Sequence, residues 1–279
     1  MGVKKEWMTK SFVFELYERI KGDDVSGWAA QLAFFFLLSI FPLLIFLVTL
    51  LPYLPIHQED ILSFIRDYAP EESMKLIETN VAEIMKQNGR LLSFGVIATL
   101  WTASNGINSI IKAFNRAYDV KENRSFIVSR GLSIVLTIGM IFVFVIALLL
   151  PVFGKQIGSL IFAQFGFSDE FLQIWGTIRW LLSSIILFIV FLVLYWIAPN
   201  IKLKCLSVVP GTLFATIGWI LVSYAFSYYV SNFGNYTSTY GSIGGIIVLM
   251  IWFYLTAHII ILGGEINAMV SEKKDPTCG

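Results

Sequence analysis

Apolar positions in this chain fall into long blocks separated by short polar stretches. Within residues 7–21, Phe12, Leu16 and Ile20 recur every four positions, flanked by Lys10, Arg19 and Lys21. That spacing predicts an N-terminal amphipathic helix, lying at a membrane interface or packed on the end of a helix bundle. From Gly27 to about Ile56 the chain carries no charge. At ~1.5 Å per helical residue, ~20 residues cross a ~30 Å hydrocarbon core. The block therefore predicts a first membrane span over about residues 28–50, kinked at Pro42. It is too long for the apolar region of a cleaved leader, so it is expected to stay in the protein. Five further blocks predict spans at about 91–112, 131–150, 176–198, 207–230 and 243–269. Pro151 and Pro199 close two of them, and Pro210–Gly211 opens another.

Residues 57–90 break the pattern, with seven acidic and four basic side chains. Met74, Ile77, Val81, Ile84 and Met85 still keep a helical period. Pro70 followed by Glu71 and Glu72 is a helix start signal. One or two amphipathic helices outside the membrane core are expected here, between spans 1 and 2. The predicted fold is all-α: one polytopic membrane domain over residues 1–279, with about six transmembrane helices, an N-terminal interfacial helix and this extracytoplasmic helical segment.

Loop charge orients the spans. Residues 1–27 carry five Lys and Arg, and the loop after span 2 carries Arg116, Lys121, Arg124 and Arg130. Lys202 and Lys204 follow span 4, and Lys273 and Lys274 stand in the tail. The alternate loops are poor in base: residues 151–175 hold only Lys155, and residues 231–242 hold none. Short basic loops stay in the cytoplasm, so both termini are expected inside a multi-pass protein of the inner, or cytoplasmic, membrane.

Composition agrees. The chain is 57% hydrophobic and 14% charged, against ~45–50% and ~25% for soluble domains. A formal net charge of +1 gives no pull toward polyanions, and no nucleic-acid partner is expected. Cys205 and Cys278 sit in no metal or disulfide spacing. No cofactor or metal is expected. Membrane lipids are the expected surroundings, and the small-residue pairs Gly241–Gly245 and Gly211–Ala215 are packing signals within one subunit or between copies in a homo-oligomer.

Ionisable and amide groups inside spans are costly, so each one is a candidate. Glu265 follows Gly263–Gly264 and precedes Asn267 in span 6. It reads either as a proton or cation site facing a cavity or as a carboxylate paired with a basic loop residue. His258 lies seven residues earlier on the same helix face, as a proton relay or as an ordinary hydrogen-bonded histidine. Asn105 and Asn108 in span 2 flank Gly106, a segment expected either to unwind and line a cavity or to bind helices together. Ser39 is a candidate for the same space. Arg116 and Asp119 stand three apart beyond span 2, as a structural ion pair or as a cytoplasmic gate to Glu265. Asn235, Tyr236 and Tyr240 lie in an uncharged outer loop expected to turn tightly at headgroup level, to close an outward cavity or to grip lipid.

Three blocks resemble the YihY/BrkB family of bacterial inner-membrane proteins: Trp28–Leu44, Trp101–Val120 and Tyr229–Ala268. The last runs from a Gly/Asn/Tyr/Ser loop into a span ending in Gly263–Gly264–Glu265–Ile266–Asn267–Ala268, and Pro210–Thr216 adds a fourth match. Phe34 and Phe35 stand where the family pattern often has tyrosines. The resemblance implies a polytopic inner-membrane protein; members carry virulence, serum-resistance or ribonuclease BN labels. A metal-dependent nuclease needs clustered ligands, whereas this chain has only His57 and His258, on different segments. No enzyme activity is expected. The preferred function is transport or export of an unknown lipid-like or small amphipathic solute, with ion-gradient coupling as one route. No nucleotide-binding loop is present to drive it. The alternative is a non-transporting envelope scaffold or partner-binding membrane protein.

Overall fold

The computed structural model describes residues 12–53, 58–59, 62, 71–141, 169–203, 205–233 and 241–274. Among these, all regular structure is helical: α1 (Phe12–Gly22), α2 (Val25–Leu50), α3 (Glu71–Ile84), α4 (Gly89–Ala117), α5 (Phe126–Ile141), α6 (Asp169–Ile197), α7 (Val209–Phe233) and α8 (Gly244–Lys274). Short 3₁₀ turns cover Leu51–Tyr53, Cys205–Ser207 and Gly241–Ile243.

Four helical stretches are long and apolar enough to cross a membrane: Val25–Tyr53, Trp180–Ile197, Val209–Asn232 and Gly244–Glu272. They match predicted spans 1, 4, 5 and 6. Only 6% of the first and 22% of the last is buried within the protein. Phe34, Phe41, Trp180, Leu181, Leu221 and Tyr224 are exposed. Side chains of that size on so many turns require an apolar solvent rather than water. Helix α4, with 29 residues, is long enough for predicted span 2 but is amphipathic and less apolar than the other four. Its C-terminal half carries Ser104, Asn105, Asn108, Ser109 and Asn115. Predicted span 3 is described only through Ile141, as the apolar helix α5.

The chain divides into two compact units. Phe35–Ala103 forms one of them. There the helix continues through Pro42, whose ring nitrogen has no hydrogen to give the preceding turn. Gly95 lets α4 pass close to α2, because a Cβ at that position would stand 2.9 Å from the Phe46 backbone nitrogen. Asn88 accepts from the Leu91 amide at 3.1 Å and caps α4. Helix α3 is described from Glu71 onward and buries Met74 and Val81. The earlier part of the predicted outer segment falls largely outside the described residues.

Met1–Phe34 with Ser104–Gly279 forms the other unit. Its tightest core gathers the start of α2 (Val25, Ala29, Leu32), the end of α4 (Ile110, Phe114) and the end of α6 (Leu194, Tyr195), with Ala215 of α7 and Ile261 and Met269 of α8, nearly all fully buried. Asp24, at φ 53°, caps α2 by accepting from the Gly27 amide at 3.2 Å. Helix α1 is turned inside out relative to a soluble amphipathic helix. Glu15 is 3% exposed, while Val13, Phe14 and Tyr17 are at least half exposed. Glu15 and Arg19 face the bundle, whereas Lys21 is exposed beside the Tyr17 ring.

Candidate functional site

The polar centre of the larger unit is built around Glu265 and Asn267, which are 1% and 0% exposed on α8. Glycine makes room for them. A Cβ on Gly211 would run into the Gly263 carbonyl and the Asn267 amide, and one on Gly263 into the Tyr195 hydroxyl. A Cβ on Gly264 would stand 2.6 Å from the Phe114 ring. Helices α4, α6, α7 and α8 therefore close on one another at the Gly263–Gly264 pair. In the space left, Asn267 Oδ1 accepts from the Gly211 amide at 2.6 Å, capping the first turn of α7 from another helix. The Tyr195 hydroxyl donates to the Ile260 carbonyl at 2.7 Å.

Glu265 meets Arg19 of α1. Arg19 Nη1 stands 3.9 Å from Glu265 Oε2 and donates to the Ala117 carbonyl at 3.1 Å. Nη2 donates to Glu272 Oε2 at 2.7 Å, and Nε lies 3.9 Å from Glu15. One guanidinium thus faces three carboxylates and the open C-terminal turn of α4. Among the described residues, no three His, Cys, Asp or Glu side chains gather closely enough to hold a metal ion. Several buried polar atoms of this centre find no hydrogen-bond partner among the described residues, including Glu265 Oε2, Asn267 Nδ2, the Tyr118 hydroxyl and Arg19 Nε. Burial pushes the Tyr118 phenol above its usual range, and the Glu265 charge pushes it further.

The other predicted residues have different partners. Arg116 pairs with Asp23 at 2.9 Å and donates to the Gly22 carbonyl, rather than pairing with Asp119. The reason is local. Helix α4 ends at Ala117 and Asp119 takes φ 52°, so the i,i+3 face is not continued. The Asn105–Asn108 segment is not unwound. Helix α4 runs unbroken through it, because Asn105 Oδ1 is taken by Arg130 at 2.6 Å and the Ser109 hydroxyl donates to the Asn105 carbonyl at 3.0 Å. Asn108 is half-buried on the same helix. His258 bonds the Tyr254 carbonyl at 3.0 Å and Ser26 at 3.3 Å, with the Tyr254 ring edge-on at 4.3 Å. Ser39, in the smaller unit, donates to the Phe36 carbonyl of its own helix at 2.7 Å. Asn235, Tyr236 and Tyr240 lie outside the described residues. Of the two packing signals, Gly211–Ala215 is buried, whereas a Cβ at Gly245 would meet nothing within 4 Å among the described residues.

Sequence reading missed a second polar network. Asn115, 4% exposed, accepts from the Asn200 amide at 2.7 Å and donates to Glu122 at 2.8 Å. Asn200 accepts from Arg124 Nε at 3.0 Å, and Arg124 donates to the Ala198 carbonyl at 3.0 Å. These bonds tie the connection after α4 to the turn after α6. The only sequence signal was an asparagine on the apolar face of α4.

Comparison with known proteins gives the family. The model of the family described as Virulence factor BrkB matches residues 16–278. The chain is 56% identical over 265 residues to the putative ribonuclease-like protein YfkH of Bacillus subtilis, covering 95% of this chain and 96% of that one. It is 29% identical over 272 residues to a UPF0761 membrane protein of Photobacterium profundum, covering 95% and 82%. A UPF0761 membrane protein of Vibrio campbellii is 27% identical, with 95% and 83% covered. No solved structure matches the chain. The Gly263–Gly264–Glu265–Ile266–Asn267 run that closes the helix crossing is part of the resemblance read from sequence, and the match over nearly the whole length agrees with it: the chain is a membrane protein of the BrkB family.

Proposed function

We propose that this protein moves a lipid-like or small amphipathic solute across the bacterial inner membrane, with Glu265 and Arg19 forming a charge lock at its cytoplasmic end. In this reading the chain crosses six times, with α4 and the helix beginning at α5 as the two spans beyond the clearly apolar four. Loop charge supports both termini inside. The observation that carries the proposal is Glu265 itself. A carboxylate 1% exposed in a membrane-spanning helix has one oxygen without a hydrogen bond, and its cation is 3.9 Å away. A buried pair held this loosely contributes little stability, because desolvation offsets the attraction. A carboxylate that must exchange a proton or cation during a transport cycle has reason to be held so. The ribonuclease-like name of the Bacillus relative has no counterpart in this arrangement, and we propose a non-enzymatic role.

A second reading has specific support. The continuous helix through Asn105 and Asn108, and the pairing of Glu265 with α1, are what a non-transporting envelope scaffold would use to fix its helices. At those two positions the scaffold reading fits better than a broken-helix transporter. Proteoliposomes separate the two. Purified protein should accelerate transbilayer movement of labelled phospholipids, or release of amphipathic solutes, above empty vesicles, with and without a pH gradient. Rates equal to empty vesicles across all of these would leave the scaffold.

A further inference from the structure

Helix α1 meets the Glu265 centre without being packed deeply into the bundle. Among its residues only Glu15, a carboxylate, is buried. Leu16 and Ile20 are half-buried, and Phe12, Val13, Phe14 and Tyr17 are exposed. An element with so few buried apolar contacts opens locally at low free energy. Lifting α1 away would uncover little apolar surface, because its largest side chains already face away from the core.

Charge holds α1 down instead. Arg19 reaches from α1 to the Ala117 carbonyl, to Glu272 and toward Glu265. Glu272 is half exposed, and a pair in contact with water adds little. Arg116 fastens the C-terminal end of α1 to α4, through Asp23 and the Gly22 carbonyl. Directly after it, Asp24 at φ 53° turns the chain into α2. The charges acting on Glu265 come from Arg19 and Arg116, against Asp23 and Glu272. Glu15 shares the Arg19 guanidinium, and Tyr118, at the end of α4, stays neutral beside them. Without Arg19, a charged Glu265 would be stranded dry beneath α1, and lifting α1 would relieve it.

We propose that α1 is a detachable strap: docked through Arg19 it seals Glu265, and it lifts as a unit about Gly22–Asp24 to open Glu265 to water while the rest of the bundle stays folded. This deepens the charge-lock reading, on which it rests, by giving the carboxylate its route to the solution. Its docking is measured without any transported solute, so absent flux would sink transport and leave the strap standing.

Double electron–electron resonance on the full-length protein tests this, with Cys205 and Cys278 replaced by serine and spin labels on Val13→Cys and Phe126→Cys, two exposed positions. The parent should give one docked distance. Arg19→Gln should make an undocked, broader population the major one, a change of at least ~tenfold in the docking equilibrium for uncovering a stranded carboxylate. Glu265→Gln alone should stay docked, and adding it to Arg19→Gln should return part of the docked distance. An unchanged distance in Arg19→Gln would show that Arg19 braces a fixed core. Release in the double variant equal to that in Arg19→Gln would show that the strap does not cover a charged Glu265. Either result overturns the proposal. The parent protein supplies a test that needs no destabilising variant. In samples frozen from rising temperature, the Val13–Phe126 distance should broaden before a Phe126–Tyr224 distance, between exposed positions of α5 and α7, changes. Simultaneous loss of both distances would make α1 part of the core and overturn the strap.

Discussion

Arg19 is the residue on which the buried charges depend. Its guanidinium faces Glu15, Glu265 and Glu272, and among the described residues Glu265 has no nearer cation. Removing one member of a buried pair costs ~3–5 kcal/mol, because the other is left charged and dry. Arg19→Gln should therefore lower thermal stability in detergent sharply, whereas Glu265→Gln should lower it little. The double variant should recover only part of the loss, because buried Glu15 still lacks its cation. Equal losses from the two single variants would show that the pair acts through packing rather than charge. Tyr118 gives a contrasting expectation. Its buried hydroxyl lacks a partner among the described residues, so Tyr118→Phe should be neutral or stabilising, within the ~1–3 kcal/mol an unsatisfied group costs. Glu265 and Asn267 were legible in the sequence, because a carboxylate and an amide inside an apolar span stand out. Arg19 was not. It reads as the flank of an apolar stripe, and nothing in local spacing links α1 to the end of α8. Arg116 misled for the same reason: its neighbour Asp119 is near in sequence, while Asp23, its actual partner, is distant.

At the scale of elements, glycines set how closely the helices cross. Gly211→Ala and Gly263→Ala would each drive a methyl into backbone or a tyrosine hydroxyl, and overpacking of this kind costs ~1–3 kcal/mol. Gly245→Ala, where a Cβ meets nothing within 4 Å among the described residues, should instead match or exceed wild type, since alanine is worth ~1 kcal/mol over glycine in a helix. Unfolding temperatures of the three variants check the order, and destabilisation by Gly245→Ala would reveal a contact between copies. The small-residue spacing at Gly241–Gly245 looked as persuasive in sequence as the Gly263–Gly264 pair. Spacing tells which residues share a face, not whether that face has a neighbour. In the polar half of α4 the helix-binding alternative is the one the contacts favour. Thr99, Thr102 and Ser109 donate to carbonyls of their own helix, and Asn105 is held by Arg130, so the helix carries these groups without unwinding.

For the whole molecule, hydropathy carried the all-helical membrane fold, because a span needs only length and apolarity to be recognised. It was weakest where a helix is amphipathic, as in α4, whose apolar and polar faces average out. The proposed topology rests on loop charge and can be checked directly. A reporter fused after residue 274 should be active on the cytoplasmic side, and a single cysteine introduced between α7 and α8 should react with an impermeant reagent from outside. A periplasmic C-terminus would reverse the orientation on which the charge lock rests. The function itself turns on whether Glu265 works or merely fills space. The most direct measurement is transbilayer flux in proteoliposomes for wild type and Glu265→Gln, reconstituted at equal amounts of folded protein. The account predicts flux above empty vesicles that falls at least ~tenfold in the variant, equivalent to ~1.4 kcal/mol on the limiting step, while the unfolding temperature stays near wild type. Flux unchanged by Glu265→Gln, or absent in both, would contradict it.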